Sequence, residues 1–149
     1  NAENNWWGCN AGPNDVDGDC DAVDGEVVFD PWLTLTLTAA DVQIEVGDSS
    51  ALTASLTLNS DDVDTAALGF VPNGTPALFT ASDGSVGGAQ TTTSGLATDT
   101  FDSTGVPDQT LVDLCVIVDN QSVCLQMPVI TGGFAGIYAL YLPVVVRNP

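Results

Sequence analysis

Aspartates recur at alternate positions in one short loop, where Asp15, Asp17, Asp19 and Asp21 surround Gly18. Alternating carboxylates around a glycine turn present oxygen atoms to a common point, and calcium takes about six to eight oxygens. Asp24 and Glu26 lie close enough in sequence to extend the set. The spacing departs from an EF-hand, because the glycine comes early and no Glu closes the loop. Calcium is therefore the one cofactor the residues suggest. The competing reading is a solvated turn clamped by a disulfide.

Four cysteines form two close pairs, Cys9 with Cys20 and Cys115 with Cys124. An even count in local pairs points to two disulfides and an oxidising, extracellular compartment. Zinc is the rival, but the CxxC spacing is missing and the chain has no histidine. Trp6, Trp7 and Trp32 crowd the same N-terminal stretch. Tryptophans stack on sugar rings, and they also seal small cores beside clamped loops; the second use is the commoner one. Carboxylate pairs do glycosidase chemistry. Here no His or Lys exists to serve as base or nucleophile, so no catalytic residue is assigned and a non-enzyme is expected. Asn73-Gly74-Thr75 and Asn120-Gln121-Ser122 are glycosylation sequons.

The balance of charge narrows the partners. Twenty acids face one base, Arg147, for a net charge of −19 over 149 residues. Nucleic acid requires a basic footprint, and an anionic membrane surface would repel this chain. No apolar run is long enough to span a bilayer as a helix. Without lysine, neither sortase linkage nor an isopeptide clasp can operate, so any assembly is non-covalent or through cysteine. Asn1 is expected to be a processed start.

Composition divides the chain into residues 1–32, rich in Asn, Asp and Gly; 33–130, alternating apolar with small polar residues; and 131–149, opening on Thr131-Gly132-Gly133 and then almost wholly apolar. In the middle part Leu33, Leu35 and Leu37 alternate with threonines, and Leu52, Ala54, Leu56 and Leu58 repeat the pattern. A period of two is that of a half-buried strand. Further strands are expected over 76–81, 88–93, 96–101, 111–118 and 122–130. They are separated by turn signals at Gly47-Asp48, Asn73-Gly74, Asp83-Gly84 and Gly105-Val106-Pro107. Short strands at such intervals predict an all-β sandwich. No helix is expected. A two-residue turn at Asp119-Asn120 would set Cys115 directly opposite Cys124, where Cβ atoms are about 4.5–5.5 Å apart. Both faces of that hairpin are apolar, which predicts a central or covered position.

Residues 33–130 resemble a bacterial Ig-like domain of the invasin/intimin kind. The likeness is carried by Ala40–Asp62, by Gly74-Thr75-Pro76-Ala77-Leu78-Phe79, and by Thr93-Ser94-Gly95-Leu96-Ala97 ahead of the last hairpin. It implies an extracellular immunoglobulin-like sandwich that spaces or binds, with no catalytic residues to transfer. The segments 4–14 and 27–33 resemble the end cap of right-handed parallel β-helix surface proteins, and "IYALYLPVVVR" resembles C-terminal tails of surface proteins from filamentous green bacteria.

The tail is the other candidate site. From Phe134 to Val146 only Gly136 and Pro143 interrupt its bulk, and Tyr138, Leu140, Leu142, Val144 and Val146 share one face of a strand. At about 3.3 Å per residue it reaches roughly 40 Å. Burying five such side chains is worth on the order of 8–15 kcal/mol as an upper bound. Left exposed, the segment would aggregate. Phe134, Ile137, Tyr138, Leu140, Tyr141, Leu142, Val144, Val145 and Val146 are thus expected to form a subunit interface. The expected molecule is a disulfide-clamped N-terminal cap, an Ig-like sandwich and an extra C-terminal strand. Its expected role is that of a filament subunit pairing with copies of itself at the cell surface. The alternatives are a stalk or adhesion module of a larger surface protein, or a module binding calcium or a host glycan.

Overall fold

The computed structural model describes residues 1–14 and 20–132. Asp15, Asp17 and Asp19 of the acidic loop, and the whole expected C-terminal strand, lie outside them. The described elements are all β: β1 (Leu33–Ala39), β2 (Ile44–Glu45), β3 (Ser49–Asn59), β4 (Pro76–Ala81), β5 (Ala89–Thr91), β6 (Leu96–Asp102), β7 (Thr110–Val118) and β8 (Gln121–Ile130).

Two sheets form. One has the order β1-β3-β6 and the other β2-β8-β7-β4-β5. The chain changes sheet between β2 and β3, between β3 and β4, between β5 and β6 and between β6 and β7. It also splits its first edge segment, β1 joining one sheet and β2 the other. Sequential strands that trade sheets in this way make the Greek-key sandwich of immunoglobulin-like domains.

Alternation explains which side chains meet between the sheets. Ser50, Leu52, Ala54 and Leu56 of β3 point inward and are buried, while Ala51, Thr53 and Ser55 between them do not. Val112, Leu114, Val116 and Val118 do the same from β7, all but inaccessible to solvent. Phe79, Phe101 and Met127 fill the space between. The outward threonines of β1 are not idle: Thr34, Thr36 and Thr38 each donate a hydroxyl to a carbonyl of β3, at 3.3–3.4 Å.

The last hairpin follows the register expected from its turn. Val118 pairs with Gln121, Val116 with Val123 and Cys115 with Cys124, and the two cysteines are bonded with Cα atoms 4.0 Å apart. Asp119 takes the positive φ (50°) that the tight turn requires. The expected central position holds for β7 alone. Among the described strands, β8 is flanked on its other side only by β2, at Val129 and Ile130.

Two local departures have physical causes. The strand expected over 88–93 shortens to Ala89–Thr91, because the amides of Gly87 and Gly88 donate to the Asp99 carboxylate (3.0 and 2.9 Å). Strand β2 is too short to show a period. It is held by Ser103, a fully buried residue whose hydroxyl meets Glu45 O (2.9 Å), Asp48 O (2.8 Å) and the Gly47 amide (2.9 Å).

Candidate functional site: a half-open seam beside the last strand

The two sides of the sandwich end differently. On the β5/β6 side, the β4–β5 loop folds over the edge: Ser85 bridges Asp102, and Asp99 holds Gly87 and Gly88. Strand β5, the sheet edge there, is only three residues long. Short and covered edges do not invite further strands.

On the β1/β8 side, closure is partial. The N-terminal segment seals its upper end. Leu33 donates its amide to Asn5 O (2.9 Å). Asn10 then acts as a substitute strand for Leu35: its side-chain oxygen accepts the Leu35 amide (2.6 Å) and its side-chain nitrogen donates to the Leu35 carbonyl (2.9 Å). The Asn10 amide reaches across to Gln121 Oε1 at the start of β8 (2.8 Å). One asparagine thus clasps an edge of each sheet.

The tryptophans serve the same clasp. Trp6 packs on the core and donates Nε1 to Asp119 Oδ2 (2.7 Å) at the hairpin turn. Trp32 donates Nε1 to Asn10 O (3.0 Å). Its ring lies so close to Gly12 that a Cβ there would sit 2.6 Å from Cε2, and Gly12 also has φ +84°. Cys9 is bonded to Cys20, with Cα atoms 5.1 Å apart, and Asp21 returns its amide to Trp7 O (2.8 Å). Trp6 and Trp32 are half-buried fasteners of the cap, in line with their expected sealing role.

Below the clasp no described strand closes the seam. Alternation along β1 turns the backbone of Leu37 and Ala39 outward, as it does Leu33 and Leu35, because Ala40 already bonds toward β3 through Ala51 O (2.8 Å). Alternation along β8 turns the even-numbered residues outward, because Ile130 O accepts the Val46 amide on that side (2.9 Å). No described strand pairs with the outer side of β8 from Ser122 to Pro128. Pro128 fits this arrangement: it lies opposite Leu111 and would have no partner for an outward amide anyway. Between the two open edges Leu37, Ala39, Val123 and Leu125 pack on the core and are only half-buried.

Charge avoids this side. No charged residue occurs from Leu33 to Ala40 or from Asn120 to Val146, in a chain with twenty acids. Asp41, Glu45 and Asp48 rim a shallow depression at the β2 end with Ile44 and Ile130, and Asp113 of β7 accepts the Gln126 side-chain amide (2.9 Å).

Asp108 fixes how the chain leaves β8. Its carboxylate accepts the Thr131 amide, and this hydrogen bonding, with a smaller contribution from Gln109, holds its pKa below the ordinary 3.8. The group is exposed, so the contribution to stability is small and local. Its sign follows from the lowered value: the bond is fully present above the unfolded-state pKa and is lost as pH falls through the folded one. The Thr131 amide resonance is expected to shift in an acid titration with a midpoint below 3.8, and to lose that titration in Asp108→Asn.

The other candidate residues do not gather into a site. Asp21 is an exposed residue at the foot of the cap. Among the described residues no three metal-ligating side chains come together. Asn73 sits in an exposed turn with Oδ1 accepting the Ser94 amide (2.8 Å), and Asn120 forms part of the exposed β7–β8 turn. Neither position excludes a glycan. No described helix is long and apolar enough to cross a membrane. Residues 134–146 lie outside the described structure. The open seam itself leaves one trace in the sequence, the run of uncharged residues, and that run reads equally well as buried core.

Fold and site together define an immunoglobulin-like β-sandwich with an N-terminal cap clasped by one disulfide and a second disulfide bridging its last hairpin. No family model matches the chain, and no curated protein matches it. Among solved structures, the adhesin InvE of Yersinia pseudotuberculosis is similar over 66% of this chain, with 25% sequence identity and a TM-score of 0.49. The chain spans 28% of that adhesin's length.

Proposed function

We propose that this protein is a structural subunit of an extracellular bacterial filament, joined non-covalently when residues 134–146 of one copy add as a strand to the next. The observation that carries the reading is a surplus strand. Eight strands already supply a closed set of buried residues, from Leu33 to Val129, and an alternating apolar segment follows them in sequence. Such a segment needs a sheet edge to pair with, and strand addition is a general route to one. A head-to-tail contact that does not close on itself produces a filament.

Extracellular placement rests on the two disulfides, each joining cysteines that are near neighbours in the chain. The absence of lysine leaves strand pairing as the means of cohesion. The chain has no enzymatic role in this reading. Calcium at the acidic loop, if taken up, would stiffen the cap.

Negative-stain microscopy of the full chain beside a chain ending at Gly133 tests the proposal. Filaments from the first and monomers from the second are expected. A monodisperse full-length monomer would overturn the filament and identify a stalk or adhesion module of a surface protein that keeps its tail.

A further inference from the structure

We infer that the acceptor for the donated strand is the outer edge of β8 from Ser122 to Pro128, occupied by residues 134–146 of a second copy of this chain; this rests on the filament reading and gives it a site. Independent observations converge. The stretch offers outward amides at Ser122, Cys124 and Gln126 and outward carbonyls at Cys124, Gln126 and Pro128, with no described strand beside them; the Ser122 carbonyl already accepts Gln121 Nε2 (2.9 Å). At about 3.3 Å per residue it is long enough for a strand of six or seven residues. The cap bounds it above, through Asn10 and Gln121, and β2 bounds it below, at Val129.

The side chains match as well. A strand laid there would direct alternate residues onto Leu37, Ala39, Val123 and Leu125, the half-buried apolar residues of the seam. The tail supplies Tyr138, Leu140, Leu142 and Val144 with that period. Neither β8 nor the tail segment carries a charge of its own, which lessens the repulsion between two copies of net charge −19.

The donor comes from another copy because of how β8 ends. A hairpin back along the same edge would have to begin beside Val129 and Ile130, where β2 already pairs. The Asp108 carboxylate, just before β7, holds the Thr131 amide on the β7 side, so pairing on that side extends past Ile130.

Cysteine cross-linking in the full-length protein tests the assignment. One preparation carries Gln126→Cys, an exposed position on β8, and a second carries single cysteines scanned from Tyr138 to Val144. The two are mixed before assembly, oxidised and run on a non-reducing gel. Linked heterodimers are expected at tail positions two residues apart, with several-fold weaker products at those between. Thr38→Cys on β1 serves as the competing acceptor. Filaments whose tails link to Thr38→Cys and not to Gln126→Cys would overturn the β8 assignment and leave strand donation standing. Links found only within chains that carry both substitutions would show the tail kept by its own domain, and would overturn the second copy as occupant. Failure of the unsubstituted protein to form filaments would sink the underlying reading before the acceptor is reached.

A second variant tests the hydrogen bonding itself. Gln126→Pro removes one outward amide and leaves pairing with β7 intact, as Pro128 does naturally. Loss of filaments with an unchanged melting temperature is the expected result. Filaments as abundant as those of the parent chain would overturn the proposal, and the cross-linking decides the matter should the variant fail to fold.

Discussion

Phe101→Ala is expected to lower the unfolding free energy by about 3–5 kcal/mol, the range for truncating a large aromatic in a packed core. Phe101 is fully inaccessible and stands on β6 opposite Ser50, the residue that begins the inward row of β3. Its ring lies directly under Gly84, where a Cβ would come within 2.7 Å of Cε2, 3.0 Å of Val106 and 2.6 Å of the Asp102 carbonyl. The loop over the β6 edge therefore rests on this ring. Removing the ring leaves a void under a turn whose residue 84 has φ +73° and no side chain to fill it. Denaturant melts of parent and variant measure the loss, and the thermal midpoint should fall on the order of 10 °C. A loss below about 1 kcal/mol would show that the loop collapses into the space.

The second large effect concerns the clasp. Asn10→Ala is expected to cost about 2–4 kcal/mol, because it leaves both the Leu35 amide and carbonyl without a partner in a buried setting. An asparagine is suited to this place because its side-chain amide repeats the donor and acceptor of a peptide group. No apolar residue can stand in, so Asn10→Leu should lose as much as Asn10→Ala. Hydrogen exchange would report the change locally, with faster exchange at Leu33 and Leu35 and little change at Val112–Val118. The same variant lengthens the open seam upward, so filaments formed from it should accept the tail in more than one register and look less regular. A clasp variant as stable as the parent would show that the Cys9–Cys20 bond and the tryptophans hold the cap unaided.

These two sites divide the molecule. Phe101 belongs to a side closed by its own loop, and Asn10 marks where closure stops on the other. A sandwich with both sides closed has no use for a further strand. In the proposed filament, the side that the described residues leave unfinished receives the apolar segment after Gly133. Isolated edges are ordinarily blunted by charge, and this one carries none.

Much of the fold is legible in the order of the residues alone. The Leu-Thr alternation of β1, the inward row of β3 and the seven-residue β6 follow from a period of two, which is a local property of the chain. The Cys115–Cys124 bond follows from turn length, since in a hairpin the register is set by the residues of the turn. Strand β2 cannot be read in this way, because two residues carry no period and its parallel partner lies more than eighty positions away. The role of Asn10 is equally hidden. Its partners, Leu35 and Gln121, are separated from it by 25 and 111 residues, and nothing in an asparagine between a cysteine and an alanine announces them.

The sequence by itself determined that the described chain makes strands and no helix, that its cysteines pair locally, and that a further apolar alternating segment follows the last described strand. Those are matters of spacing and composition, which act between near neighbours. Only the tertiary structure decided which strands share a sheet, which edges are covered, and that β8 is left open from Ser122 to Pro128 among the described residues. An edge is open or closed according to what lies beside it in space, and for a sandwich that switches sheets the neighbours in space are not neighbours in sequence.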